Sequence, residues 1–423
     1  MSRLAAAERF GEYVMYERPG EWVFAADPLG GVELDANELR VSWDGRATAS
    51  AWAGSPAQVI DNALATLPLG GRRAYGWIGF EFCAWALDLT RHLHPGTALA
   101  HLMIPRIEVR VGEFGVRISG ATPAEAADIL DLIAASQETE LAQAHPVDVR
   151  LDPTGYRDRV AEAVAEIRSG RYQKVILSRK VDLPFVVDVP ASYRLGRANN
   201  TPARSFLLRL GGLEAAGFSP ELVAAVDEDR VVTTEPLAGT RAFGLGEAID
   251  MAARADLLTD PKEIVEHAIS VQTSFAEITE VAAPGTSVVS DFMAVRERGS
   301  VQHLASTVRG RLAADRSSWD ALEVLFPSVT ASGIPKRAGV DSVFRLDGAP
   351  RGLYSGAVVT ISPSGAMEAT LVLRAVYQTT EGAWLRAGAG IVGQSRPERE
   401  FEETCEKLGS VAPYVVRSQL RGV

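Results

Sequence analysis

Cysteine is nearly missing from this chain: Cys83 and Cys405 are the only two in 423 residues, and neither lies in a C-x-x-C pattern. A disulfide-stapled scaffold and a cysteine-ligated zinc centre are thereby excluded, and a reducing compartment fits. Histidine is scarce too, with six scattered copies. No apolar run is long enough to span a bilayer. Met1 to Gly20 mixes charged and apolar residues without a signal-peptide core. Positive charge is in deficit, the net charge being −11, and no basic stripe with interleaved aromatics occurs. Nucleic acid is therefore not the expected partner, nor is a membrane. An acidic chain that binds an anion must build its positive site locally, from a few Arg or Lys residues, a metal or backbone amides. A cytoplasmic location is expected.

What is present is a large stock of core-forming residues, 47% hydrophobic, which at this length allows one to three domains. Strand-like runs occur at Trp22–Phe24, Leu39–Val41, Arg73–Phe82 and Arg106–Ile118. Thr122-Pro123-Ala124-Glu125 starts a helix that runs to Ala135. Gln137 to Arg150 is polar and reads as a linker, either a domain boundary or a connection within one core. Further on, a helix is expected over Tyr156–Ile167 and strands over Lys174–Val181, Ser205–Leu210, Leu222–Val226, Arg230–Thr234, Gly356–Ile361, Ala369–Val376 and Trp384–Ala387. Helices are expected at Pro261–Glu280, Ser318–Phe326 and Pro397–Leu408. Strands that follow one another without intervening helices point to large, mainly antiparallel sheets with helices outside.

Two acidic clusters carry the first chemistry. At about 100° per residue, Glu400, Glu403 and Lys407 share one stripe of the last helix, beside apolar Phe401, Cys405 and Leu408. Glu263 and Glu266 share a face beside Ile264, Ala268 and Val271. Either cluster alone reads as a solvated helix face. Together they can point two pairs of carboxylates at a common point, a donor set that suits Mg²⁺ rather than Zn²⁺.

Other segments are ambiguous singly. Lys174 opens an apolar strand, as a lysine snorkelling to water or as a desolvated amine able to act as a base. Glu221, in Gly217-Phe218-Ser219-Pro220-Glu221, is an exposed turn acid or a general acid kept protonated by an apolar wall. Gly239-Thr240 can offer amides and a hydroxyl to an anion. His303 sits in an alternating strand, where a lone histidine is usually structural. Arg374 and Arg386 lie on two late strands, where a guanidinium can grip a carboxylate. The glycines of Gly388-Ala389-Gly390 let a ligand approach the backbone.

In order along the chain, Lys174, Ser-Pro-Glu221, Pro-Leu-Ala-Gly-Thr240-Arg, Lys-Glu263-x-x-Glu266-His, Gln-His303, Thr330-Ala-Ser-Gly, Arg-Gly-Leu-Tyr354-Ser-Gly, Arg374, Ala-Gly388-Ala-Gly and Glu400-Phe-Glu-Glu403-x-x-x-Lys407 resemble the chorismate-utilising enzymes. The similarity to the mycobactin-type salicylate synthase branch extends into Trp77-Ile78-Gly79-Phe80-Glu81-Phe82. The resemblance implies an α+β fold over residues 1–423: one large domain of two mainly antiparallel sheets packed together with helices outside, as in the anthranilate synthase large subunit. Residues 1–150 would be its N-terminal part and 151–423 the motif-bearing part.

It also implies roles. Glu263, Glu266, Glu400 and Glu403 would hold one Mg²⁺. Lys174 would activate water for attack at ring C2, and Glu221 would protonate the departing C4 hydroxyl. Gly239, Thr240 and Lys407 would stand around the ring carboxylate or its ion. Arg374 and Tyr354, helped by backbone at Gly388, would hold the pyruvyl carboxylate, with His303 and Thr330 near the ring and its hydroxyl. Aminodeoxychorismate synthases commonly carry a nucleophilic lysine where this chain has Ala238, and no glutaminase segment is apparent. Water is therefore the expected nucleophile and chorismate the expected substrate, with no glutaminase subunit. Salicylate synthesis is the expected outcome. An isochorismate synthase that stops early, or a silent binding subunit, are the alternatives. A monomer is compatible with the sequence, which does not encode the oligomeric state.

Overall fold

Continuous or alternating apolar runs joined by short turns favour antiparallel ladders, and such a ladder organises the chain. The computed structural model describes residues 1–7, 9–135, 142–298 and 301–419. One hydrogen-bonded path runs through strands Gly333–Ile334, Lys174–Leu183, Gly382–Ile391, Ala375–Thr379, Leu213–Ser219, Arg204–Leu210 and Tyr13–Arg18, each antiparallel to the next. It passes through the long strands Glu21–Asp35 and Ala98–Gly112. It continues through Ala74–Ile78, Ala357–Ile361, Met367–Leu371, Leu222–Val226, Val231–Thr234 and Val301–Arg311. Strands Leu237–Ala242 and Val288–Arg298 flank the last of these.

The two halves of this path pack against each other. Tyr16, Phe206, Leu208 and Tyr377 from one half share a core cluster with Tyr75, Trp77 and Val358 from the other. Trp77 Nε1 donates to the Leu210 carbonyl at 3.4 Å, and Tyr16 Oη to Glu368 Oε1 at 2.6 Å. The expected pair of packed antiparallel sheets is therefore present, but continuous hydrogen bonding joins the two into one. The joint is at Glu21–Asp35 and Ala98–Gly112, each 15 residues long, whose register shifts near Pro28. Helices Tyr156–Arg168, Pro261–Val281, Lys336–Leu346 and Pro397–Leu408 lie against the ladder. Residues of the N-terminal part pair in register with later strands, Tyr13–Glu17 with Ser205–Arg209 and Ala74–Ile78 with Ala357–Ile361.

Several boundaries differ from expectation. Trp22–Phe24 is only the start of its strand, because Pro28, Gly30 and Gly31 look like breakers yet sit at the register shift. The second half of Arg73–Phe82 is a 3₁₀ turn, Phe80–Ala84, stabilised by Glu81, which accepts from the amides of Arg351 and Gly352. Arg106–Ile118 is a hairpin of two strands, Ala98–Gly112 and Gly115–Ser119. Ala369–Val376 is interrupted between Leu371 and Ala375, where Arg374 takes φ 52°. The expected linker begins outside the described residues. The part that is described is tied down, His145 N donating to the Val415 carbonyl and Arg179 to the carbonyls of Val149 and Leu151. No helix among the described residues is long and apolar enough to cross a membrane.

Candidate active site

Lys174 enters the ladder between strand Gly382–Ile391 and the short strand Gly333–Ile334. Ile176, which shares its face of the strand and stands with it beside Gly390, is buried too. Only 5% of Lys174 is exposed, and Nζ donates to Glu266 Oε1 at 2.6 Å. The snorkelling alternative is thus not what the structure shows.

Glu266 lies on helix Pro261–Val281, which Asp260 caps by accepting from Lys262 N. Glu263, one turn earlier, accepts from Arg241 Nη1 at 3.2 Å. On helix Pro397–Leu408, Glu400 is 5% exposed and Glu403 accepts from Lys407 at 2.9 Å. The rotation of this helix is set by Phe401, whose ring has the Arg157 guanidinium at 3.5 Å and that of Arg179 at 4.4 Å. Arg179 also donates to Thr404 Oγ1 at 2.6 Å.

The four carboxylates feel one another. Burial, with repulsion from Glu266, lifts Glu263 above the usual carboxylate range. Burial, with repulsion from Glu403, lifts Glu400. Burial acts in the same sense on Glu266 and Glu403, but Lys174 and Lys407 respectively outweigh it and hold both low. The expected convergence on one point is not complete. Among the described residues no three His, Cys, Asp or Glu side chains form a group that could hold a metal ion. Close carboxylates repel, and three of these four have a cation of the protein's own as partner: Arg241, Lys174 and Lys407. The four carboxylates are hard oxygen donors; the nearby His267 spends Nε2 on Ser306 Oγ at 2.7 Å and leaves Nδ1 buried without a partner.

Glu221 ends the turn before strand Leu222–Val226 and is 3% exposed. Ser328 Oγ and Thr330 Oγ1 both donate to its Oε1, at 2.7 and 2.6 Å. Burial raises its pKa to about 7, although these two hydroxyls pull the other way. The exposed-turn alternative therefore fails. The structure places Thr330 on this acid, and Ser328, which sequence reasoning left without a role, beside it.

At the anion end, Arg374 Nη2 lies 2.9 Å from His303 Nε2. Arginine can only donate, so Nε2 accepts and the ring proton sits on Nδ1. That nitrogen faces Thr240 Oγ1 at 3.1 Å and the Gly239 carbonyl at 3.3 Å. Burial and the Arg374 charge push His303 down to about 3, so the ring is neutral. Gly239 has φ 74°, and a Cβ there would stand 3.0 Å from Glu263 Oε2. Lys407 Nζ also donates to the Gly388 carbonyl at 2.9 Å. A Cβ on Gly388 would meet Leu177 O at 2.6 Å and the buried Tyr354 hydroxyl at 2.9 Å.

Arg386 is not available to a ligand. It is buried, with Nε donating to Ser178 Oγ at 2.9 Å, Nη1 to Pro350 O at 2.6 Å and Nη2 to Asp347 Oδ2 at 3.1 Å. Its strand also carries Gly388, but the side chain is turned into the Asp347 network, which period alone could not reveal. Asp347, absent from the sequence expectations, and Arg351, which stands there within a motif but without a role, are also buried and complete that network.

The model of the chorismate binding enzyme family matches residues 12–413. The chain is 55% identical to a salicylate synthase of Mycolicibacterium paratuberculosis, over 98% of this chain and 92% of the relative. It is 37% identical to an anthranilate synthase component 1 of Halobacterium salinarum, over 63% of this chain and 51% of the relative. The solved anthranilate synthase component I of Streptococcus pneumoniae superposes with TM-score 0.78 at 24% identity, covering 93% of this chain and 92% of that one. The menaquinone-specific isochorismate synthase of Escherichia coli does so with TM-score 0.75 at 19% identity, covering 98% and 90%. At those identities the two structures establish the fold.

Proposed function

The chain belongs to the chorismate binding enzyme family, and from that premise we propose that it is a Mg²⁺-dependent salicylate synthase. It would take chorismate through isochorismate to salicylate and pyruvate, in the cytoplasm, as a step of siderophore biosynthesis. The observation that carries this reading is a buried carboxyl with its pKa raised to about 7, Glu221, close enough to a buried lysine, Lys174, to feel its charge. The near full-length likeness to a salicylate synthase supports the same branch.

Hydroxide is a poor leaving group. Glu221, protonated on the oxygen not engaged by Ser328 and Thr330, delivers its proton to the C4 hydroxyl, which departs as water. A second water adds at C2 and gives its proton to Lys174, which as the base must first have passed on the proton it shares with Glu266, while the ring double bonds shift. The Thr240 hydroxyl and Lys407 face the ring carboxylate. Arg374, held by His303, and Tyr354 face the enolpyruvyl carboxylate. Glu263, Glu266, Glu400 and Glu403 are the residues that would hold Mg²⁺, an all-oxygen set that fits a hard dication. The ion, when bound, would supply positive charge to offset these carboxylates and an anionic substrate.

In the second step the C2 hydrogen passes to the enol methylene as the C3–O bond breaks, giving the aromatic ring and pyruvate with no protein base. Chorismate with Mg²⁺ should therefore yield salicylate and pyruvate in equal amounts. Chorismate deuterated at C2 should place its label in the pyruvate methyl group in ordinary water. Accumulating isochorismate without pyruvate identifies the early-stopping synthase. An unchanged substrate identifies a silent binding subunit. Label lost to solvent assigns the elimination to a protein base.

A further inference from the structure

Arginines near this site are matched to carboxylates: Arg204 to Glu368, Arg296 to Glu235 and Asp291, Arg351 and Arg386 to Asp347. Arg374 and Arg298 are different, with no ion pair among the described residues. Arg374 spends one nitrogen on His303 and another on the main-chain carbonyl of Arg298 at 3.3 Å. Arg298 donates from Nη1 to the Glu297 carbonyl at 2.9 Å, and its Nε is buried without a hydrogen-bond partner. Two guanidiniums so placed repel each other. Burial and the Arg298 charge together push Arg374 down to about 10. The histidine beside them is neutral and offers no compensation. Partly buried like charges joined through the Arg298 carbonyl, with one donor unspent and Glu235 acting on Arg298 without bonding it, are the complement of an anion. A planar carboxylate suits a pair of forks.

We propose that Arg298 is a second guanidinium of the substrate site, closing with Arg374 on the carboxylate of the enolpyruvyl side chain while its own carbonyl orients Arg374. The proposal rests on the chorismate reading, and it assigns this end of the pocket to the side-chain carboxylate. The ring carboxylate is then left to Lys407 and Thr240.

The test uses the full chain with Mg²⁺. Arg298→Gln should raise KM for chorismate about 10- to 100-fold, the range expected for a lost charge-assisted hydrogen bond, with kcat little changed. Arg298→Lys, which keeps the charge but not the fork, should fall between the two. Binding is then measured by calorimetry on the slowed Glu221→Gln background, with chorismate and with its side-chain methyl ester. Adding Arg298→Gln should weaken the acid and leave the ester unaffected. Equal KM in wild type and both variants overturns the proposal. So does equal weakening of acid and ester, which marks a structural role. If Arg298→Gln does not fold, an Arg298→Lys enzyme with wild-type KM and wild-type acid-over-ester preference overturns it equally. Failure of the parent protein to bind chorismate at all overturns the functional reading instead, and this inference with it.

Discussion

Glu221→Gln should make the protein more stable above neutral pH while removing its activity. Glu221 is 3% exposed and its pKa is raised to about 7 from an ordinary 4.5, chiefly by burial. A carboxyl raised on folding binds a proton more tightly in the native state, so its ionisation weakens the fold. The loss begins as pH rises past the unfolded value near 4.5 and is complete above about 7. At about 1.4 kcal/mol for each tenfold change in proton affinity, the gap corresponds to about 3 kcal/mol. Glutamine keeps the shape, and its amide oxygen can accept from Ser328 and Thr330 where Oε1 now does, but it cannot ionise. Urea unfolding at several pH values measures the difference. The variant's advantage should be under ~1 kcal/mol at pH 5 and about 3 kcal/mol at pH 8. Turnover of chorismate should fall about 10²–10⁴-fold over the same range. A stability difference that does not change with pH, or a variant less stable at pH 8, would refute the reasoning that burial holds this acid protonated.

Thr330→Val removes a donor that pulls the Glu221 pKa down. The alkaline limb of its pH–rate profile should therefore move to higher pH, and an unmoved limb would place the acid elsewhere. Gly388→Ala inserts a Cβ 2.6 Å from Leu177 O and 2.9 Å from the Tyr354 hydroxyl; it should raise KM and lower the melting temperature, and wild-type values for both would show that the strands can part at no cost. Excess chelator should abolish salicylate formation, and Glu266→Gln or Glu403→Gln should do the same with the fold retained by circular dichroism; full turnover in chelator would remove the metal from the proposal. Asp347→Asn leaves Arg351 and Arg386 without their buried counter-charge. It should cost about 3–5 kcal/mol in urea unfolding, and a change under ~1 kcal/mol would mean the pair relaxes to water.

Much of the site was legible because the chemistry leaves local marks. The stripe of Glu400, Glu403 and Lys407 follows from helical period alone, and the structure pairs Lys407 with Glu403 as that period requires. The start of the same helix, marked by Pro397, and the Thr122–Glu125 capping box were also readable, since helix starts are decided by neighbours in sequence. What period could not show was depth. Arg374 and Arg386 look alike in sequence, each on a late strand. One sits at a break with positive φ beside His303, the other is consumed by Asp347 and the Pro350 carbonyl. Helices Val189–Ala198, Glu247–Thr259 and Lys336–Leu346 were missed. Glycines, charged residues and small side chains blur their periods, so tertiary packing and not propensity decides them.

Residues left without a role by sequence reasoning hold the two sides of the proposed chemistry together. Arg351 donates from Nη1 to the Ala331 carbonyl at 2.7 Å and from Nη2 to the Ile176 carbonyl at 2.6 Å, while Nε binds Asp347 at 2.7 Å. Ala331 follows Thr330, which donates to Glu221, and Ile176 lies two residues from Lys174. Asp347 in turn accepts from both the amide and the hydroxyl of Ser178, on the same strand as Lys174. One buried guanidinium therefore fixes the distance between the segment that tunes the acid and the strand that carries the base. Such a brace needs burial, because a solvated arginine would bind those carbonyls too weakly to hold a spacing. Its partners lie up to 175 residues away in the chain. That separation is why no window of sequence announces the brace, although Arg351 and the acid and base it spaces each stand in a readable motif.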